Sequence, residues 1–110
     1  MNKVIFIGIV MPLIMAALAV PLIFELIPPN DYYGLRTPKS MSSPEVWYAA
    51  NRASGIYLLL ASVASLVISK LIKDRAAHLD AETLVFRMAM IFAACMLAAL
   101  LASFLKLRSM

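Results

Sequence analysis

Three long stretches without a formal charge dominate this chain, and they decide what its solvent must be. Val4 to Phe24 is 21 residues, Ala53 to Ser69 is 17 and Met88 to Leu105 is 18. A hydrocarbon core of roughly 30 Å needs about 20 helical residues, with about 17 as the lower limit. The first run meets that length alone, and the other two meet it with their flanking residues. Strands of a membrane barrel alternate apolar with polar side chains, and these runs do not. Helices satisfy their own backbone hydrogen bonds in lipid. The expected fold class is an all-α membrane protein, a single transmembrane domain over residues 1–110. Three transmembrane helices, at about 4–27, 44–72 and 84–105, would form a small bundle, with a structured polar loop between the first two. Composition agrees: 64% of the residues are hydrophobic, against about 45–50% in soluble domains, and the mean hydropathy is +0.90.

Lys3, the apolar run behind it and the Ala17-Leu18-Ala19 triplet also fit a cleavable secretory signal. The apolar residues continue past that triplet to Ile27, so retention as a first membrane helix is expected. Pro12 and Pro21 should kink it. Pro28-Pro29 should end it, because the residue before a proline is pushed away from helical geometry. In the second helix Ser43 is a good N-cap and Pro44 a good first residue. A Ser42-x-x-Glu45 capping box would start it one residue earlier. Gly55, Ser62 and Ser69 repeat at seven, with Ser65 nearby, and let another helix approach closely. In the third helix Ala89/Ala93, Ala94/Ala98, Ala98/Ala102 and Ala99/Ser103 offer similar seams. A tight bundle and a homo-oligomer both use such seams. Asp80 and Glu82 stand just before the third helix, where anions favour its N-terminus.

Cys95 lies among Ala and Met and reads as a small buried hydrophobe. One Cys and one His, His78, build no metal site, and no cofactor is expected. The net charge of +4 comes from Lys and Arg flanking the helices. It reports orientation and contact with membrane lipid, not nucleic acid. Lys3, Lys70, Lys73, Arg75 and Arg87 would share one side, and Arg36, Lys39, Arg52, Lys106 and Arg108 the other. The count is even; the tight Lys70/Lys73/Arg75 cluster and the α-amino group favour a cytoplasmic N-terminus.

Chemistry is concentrated in residues 28–55, PPNDYYGLRTPKSMSSPEVWYAANRASG. Asn30 and Gly34 supply turn geometry, Tyr32 and Tyr33 suit the headgroup level, and Pro38 stiffens the exit behind the Thr37 hydroxyl. Arg36 offers a planar fork for a carboxylate, phosphate or backbone carbonyls. Trp47, Asn51 and Gly55 are spaced by four and share one helix face, with Tyr48 and Arg52 on the next. Glu25 is the nearest acid able to pair with Arg36 or Arg52, and Asn51 and Arg36 could bond the loop to the second helix. Two roles are open to this set. It locks two helices together, or it lines a surface that binds a peptide, a lipid headgroup or an ion.

Pro29-Asn30, the run Tyr33-Gly34-Leu35-Arg36-Thr37-Pro38, and Trp47-x-x-x-Asn51-x-x-x-Gly55 together resemble the signature of the SdpI family of bacterial membrane proteins. The resemblance spans roughly residues 21–105. Ser40 stands where a Thr is common in that family, with the hydroxyl kept, and many members carry an additional membrane half ahead of this region. The founding members protect a cell from a secreted peptide toxin and help to signal its presence. The resemblance therefore implies a multi-pass protein of the bacterial inner membrane, of immunity or signalling type. Its binding residues would be Glu25, Asn30, Tyr33, Gly34, Arg36, Thr37, Pro38, Trp47, Asn51, Arg52 and Gly55. Its partner would be a peptide toxin or another membrane or regulatory protein. A small oligomeric channel or transporter is the alternative. No nucleophile–base pair or phosphate-binding glycine loop is present, so the expectation is not an enzyme.

Overall fold

The computed structural model describes residues 2–76 and 78–110. Three helices long and apolar enough to cross a membrane make up the fold: α1 Lys3–Ile23, α2 Pro44–Arg75 and α3 Ala81–Arg108. No strand occurs among the described residues. At 1.5 Å per residue, the 32 residues of α2 span about 48 Å. This exceeds the roughly 30 Å hydrocarbon core. The charged residues of α2, Arg52 apart, lie within about two turns of its ends.

The helix ends are set by particular hydrogen bonds. Asn2 Oδ1 accepts from Val4 N–H at 2.8 Å and opens α1. Pro12 has no N–H and would crowd the carbonyl of Gly8 in a regular α-helix. Phe6–Val10 instead widens to a π turn, with Met11 N–H bonded to Phe6 C=O, and this turn is the local response to Pro12.

α1 stops at Ile23, four residues short of the expected Ile27. The stop is not made by Pro28-Pro29. Glu25 takes the left-handed conformation, φ +58°. Leu26 N–H bonds Pro21 C=O at 2.9 Å, and Glu25 N–H bonds Leu22 C=O at 3.3 Å. These two bonds make a Schellman turn, with Glu25 where glycine is usual.

Ser43 is the N-cap of α2, its Oγ accepting from Val46 N–H at 3.2 Å. Ser42 turns away and donates to Lys39 C=O at 2.6 Å, so the earlier start is not used. α2 runs three residues past Ile72, to Arg75. α3 begins at Ala81 rather than Leu84, because Asp80 Oδ1 accepts Thr83 N–H at 2.9 Å and caps the helix. It ends at Arg108 rather than Leu105.

α2 lies between the other two helices. Gly55 sets its approach to α1. A Cβ there would stand 2.9 Å from Ile23 Cγ1, 3.0 Å from Ala19 O and 3.1 Å from Leu22 Cβ. Gly55, Ser62, Ser65 and Ser69 are all buried, as their spacing implied. α3 packs along α2 and reaches α1 at its first turns, where Val4 and Ile7 meet Leu84 and Met88. Only part of the expected alanine pattern of α3 is buried. Ala99 and Ser103 face inward, whereas Ala93, Ala94 and Ala98 are exposed. Large apolar side chains face outward; Phe86 and Leu97 are each 66% exposed. In water such a surface would aggregate, and in lipid it is the outer wall of the bundle.

Replacing Gly55 with Ala forces a Cβ against the backbone of α1 and is expected to cost about 1–3 kcal/mol. Gly8 is a milder case, because its nearest neighbour is the flexible end of Met88, with Sδ 2.9 Å away. Unfolding of reconstituted protein by a denaturing detergent should rank Gly55→Ala well below Gly8→Ala. At Asp80, hydrogen bonds from the Thr83 side chain and then the Thr83 backbone N–H hold the carboxyl below its ordinary pKa. A depressed carboxyl contributes stability above the unfolded value of about 3.9, and the contribution is lost as pH falls through the lower folded value. Stability of the wild type should thus decline on acidification in that window, and Asp80→Asn should flatten the decline.

Candidate functional site

The segment from Phe24 to Ser43 leaves α1, crosses the top of the bundle and enters α2. It contains no long helix or strand, so side chains must satisfy its backbone. Asn30 does most of this near the start. Its Oδ1 accepts from Tyr32 N–H at 2.8 Å and Tyr33 N–H at 2.7 Å. Its Nδ2 donates to Pro28 C=O at 2.8 Å and Tyr33 C=O at 3.1 Å. An amide side chain has two donors and two acceptor sites, and all are used. The Tyr33 hydroxyl reaches back to donate to Leu18 C=O on α1. Trp47, fully buried, donates Nε1–H to Ile27 C=O at 2.8 Å.

Asn51 holds the middle of the loop. Its Oδ1 accepts Leu35 N–H at 2.5 Å, and its Nδ2 donates to Leu35 C=O at 3.3 Å and Trp47 C=O at 3.0 Å. A helix side chain thus treats Leu35 as a neighbouring strand would, taking its donor and its acceptor. Gly34 makes the approach feasible. Its φ is +109°, and a Cβ would fall 2.6 Å from Asn51 Oδ1 and 3.2 Å from the Trp47 ring. Leu35 then packs with Ala50 and with Leu107 at the end of α3. Lys39 Nζ donates to Arg108 C=O at 3.3 Å and gives α3 a second tie to the loop.

Thr37 and Ser40 close the segment. Thr37 N–H donates to Ser40 Oγ at 2.7 Å, and Ser40 N–H donates to Thr37 Oγ1 at 3.0 Å. Ser40 is fully buried, and its hydroxyl donates to Leu35 C=O at 2.8 Å. Ser40 was not among the site residues read from the sequence. The signal was the Thr37-x-x-Ser40 spacing, which allows a reciprocal pair of the capping-box kind.

The eleven residues of the expected site divide into two groups. Trp47, Asn51 and Gly55 are buried on one face of α2, and Asn30, Tyr33, Gly34 and Thr37 complete the lock around them. Glu25, Arg36, Pro38 and Arg52 are exposed. The expected pairing of Glu25 with Arg36 or Arg52 does not form. Among the described residues the one ion pair within 4.0 Å is Lys70–Asp74, at the other end of the bundle. Nor does Arg36 bond the loop to α2; that tie is made by Asn51 and Trp47. Glu25 and Arg52 instead flank a concavity of about 160 Å³ with Ile23 and Phe24. Among the described residues no three His, Cys, Asp or Glu side chains could gather around a metal ion.

Removing Asn51 leaves the Leu35 N–H buried without a partner. Asn51→Leu is expected to cost about 1–3 kcal/mol and to open the segment, so limited proteolysis should cut between Leu35 and Met41 faster than in the wild type. Arg36→Ala should leave both stability and cleavage unchanged.

Searches of curated proteins and of solved structures returned no match to this chain. The model of the SdpI/YfhL protein family matches residues 26–105. That span opens one residue after the left-handed turn at Glu25, contains the loop with every side chain that locks it, and continues through α2 and most of α3. With well over half of its length matched, and with the three helices of a membrane protein built around the matched loop, the chain belongs to the SdpI/YfhL family.

Proposed function

We propose that this membrane protein of SdpI type is a binding protein of the bacterial inner membrane, and that its 28–55 segment recognises a partner at the membrane boundary. Immunity to a secreted peptide toxin, coupled to signalling of its presence, is the specific form of that reading. The observation that carries it is the division within the loop. The buried residues satisfy one another, so Glu25, Arg36 and Arg52 are not needed to hold the loop's shape. Glu25, Arg36 and Arg52 are left at the surface with no ion-pair partner among the described residues. A loop backbone that is already ordered loses little further freedom on binding, which favours recognition. A peptide arriving at the headgroup level would meet an arginine fork, a carboxylate and the ring of Tyr32, which is 91% exposed. Binding rather than catalysis is the proposed reading.

The proposed orientation places the N-terminus in the cytoplasm and the loop outside, where a secreted peptide would arrive. Self-association belongs to the same reading. The exposed Ala94/Ala98 pair on α3 offers a slim face to a second copy.

Bacterial cells producing wild-type, Arg36→Ala, Arg52→Ala or Asn51→Ala protein can be challenged with secreted peptide toxins. The arginine variants should accumulate normally yet lose protection by about tenfold, as expected for a lost charged contact of ~1.4 kcal/mol. Equal survival with and without the wild-type protein, for every peptide tried, would remove the immunity reading. Protection that fails only in Asn51→Ala would assign the loop a purely structural role. With Cys95→Ala as background, a cysteine placed at Lys39 should be labelled from outside intact cells, and one at Arg75 should not.

A further inference from the structure

At the end of the bundle opposite the loop, a cavity of about 270 Å³ lies between the first turns of α1 and the last turns of α2. Its inner wall is apolar, formed by Gly8 and Ile9 of α1, Leu66 of α2 and Met88 of α3. Its mouth is charged: Lys70, Lys73 and Asp74 line it. Lys70 Nζ stands 3.4 Å from Asp74 Oδ2, with side chains 76% and 58% exposed. An exposed pair of this kind is weak and easily exchanged. Lys73 has no ion-pair partner among the described residues.

Ser69 stands between wall and mouth. It is 2% exposed, and its Oγ has no hydrogen-bond partner. Ser65, one turn earlier and also buried, has no partner either, but of the two only Ser69 lines the cavity. Ser62 and Ser103 each donate to the carbonyl four residues earlier, at 2.7 Å. A buried hydroxyl without a partner calls for an explanation, and an unseen ligand is one of the few available.

We propose that this cavity holds one phospholipid with an anionic headgroup, drawn from the leaflet at that end. An acyl chain would lie along Gly8, Ile9, Leu66 and Met88. The Ser69 hydroxyl would donate to an ester carbonyl of the glycerol region. Lys70 and Lys73 would hold the phosphate. Leu66, Lys70 and Lys73 climb the same side of α2 by about one turn each, roughly 5 Å. Hydrocarbon, hydroxyl and cation thus follow one another as tail, ester and phosphate do in a lipid. Basic residues just outside a membrane span favour anionic lipid. A small soluble anion would use the lysines and leave the apolar wall empty. A zwitterionic lipid would gain less from two cations.

The test uses the full chain in detergent micelles doped with phosphatidylglycerol and phosphatidylcholine of identical acyl chains, with retained lipid counted by native mass spectrometry. One phosphatidylglycerol per chain is expected, with phosphatidylcholine retained about tenfold less. Lys70→Gln/Lys73→Gln should lower phosphatidylglycerol retention by about tenfold, and Ile9→Trp, which fills the cavity from α1, should also lower it. Lys106→Gln/Arg108→Gln, at the opposite end, should leave it unchanged. The altered lysines are exposed, so helix content by circular dichroism should match the wild type. Equal retention of the two lipids, or no loss in the double lysine variant, would overturn the proposal. Undiminished retention in Ile9→Trp would also overturn it, because the lipid would then rest on surface charge alone.

Discussion

Leu35 is a loop residue whose backbone donor and acceptor are both held by the side chain of one helix residue, Asn51. Much of the upper half of the molecule depends on that exchange. It requires a glycine at position 34, because any Cβ would collide with the amide. It places Leu35 against Ala50 and Leu107, and so brings the end of α3 under the loop. It gives the buried Ser40 hydroxyl a fixed carbonyl to bond. Where water is scarce, each of these polar groups must find a protein partner, and the loop's shape is one solution to that requirement.

The two ends of the bundle solve the same problem differently. At the loop end, side-chain amides and hydroxyls close nearly every bond within the chain. At the other end two buried hydroxyls, of Ser65 and Ser69, are left without partners, and lysines stand at the mouth of an apolar cavity. A satisfied polar network rigidifies its surroundings, and an unpaired buried hydroxyl carries a cost. One small bundle thus carries a closed polar network at one end and an open apolar cavity at the other.

How much could be read in advance depends on the range of the interaction. The three helices were legible because span length is a property of consecutive residues. Ser43 was legible as a cap for the same reason. The shared face of Trp47, Asn51 and Gly55 followed from their spacing of four. The end of α1 was not legible, because Glu25 is an improbable left-handed residue and the prolines behind it looked sufficient. The start of α3 was missed by three residues because Asp80 was read as a charge near a dipole, not as an acceptor for Thr83. The fate of Arg36 could not be read, since its partners depend on the path of the whole loop. The role of Ser40 was hidden because its decisive contact, Leu35 C=O, is a backbone atom that any sequence would have supplied.

Glu25 joins two roles that are normally kept apart. A left-handed backbone costs a non-glycine residue about 1–2 kcal/mol, and this residue sets the direction in which the chain leaves the membrane. Its carboxylate meanwhile borders the concavity shared with Arg52. A glycine would hold the same turn without that cost, but it would take the carboxylate away from the concavity.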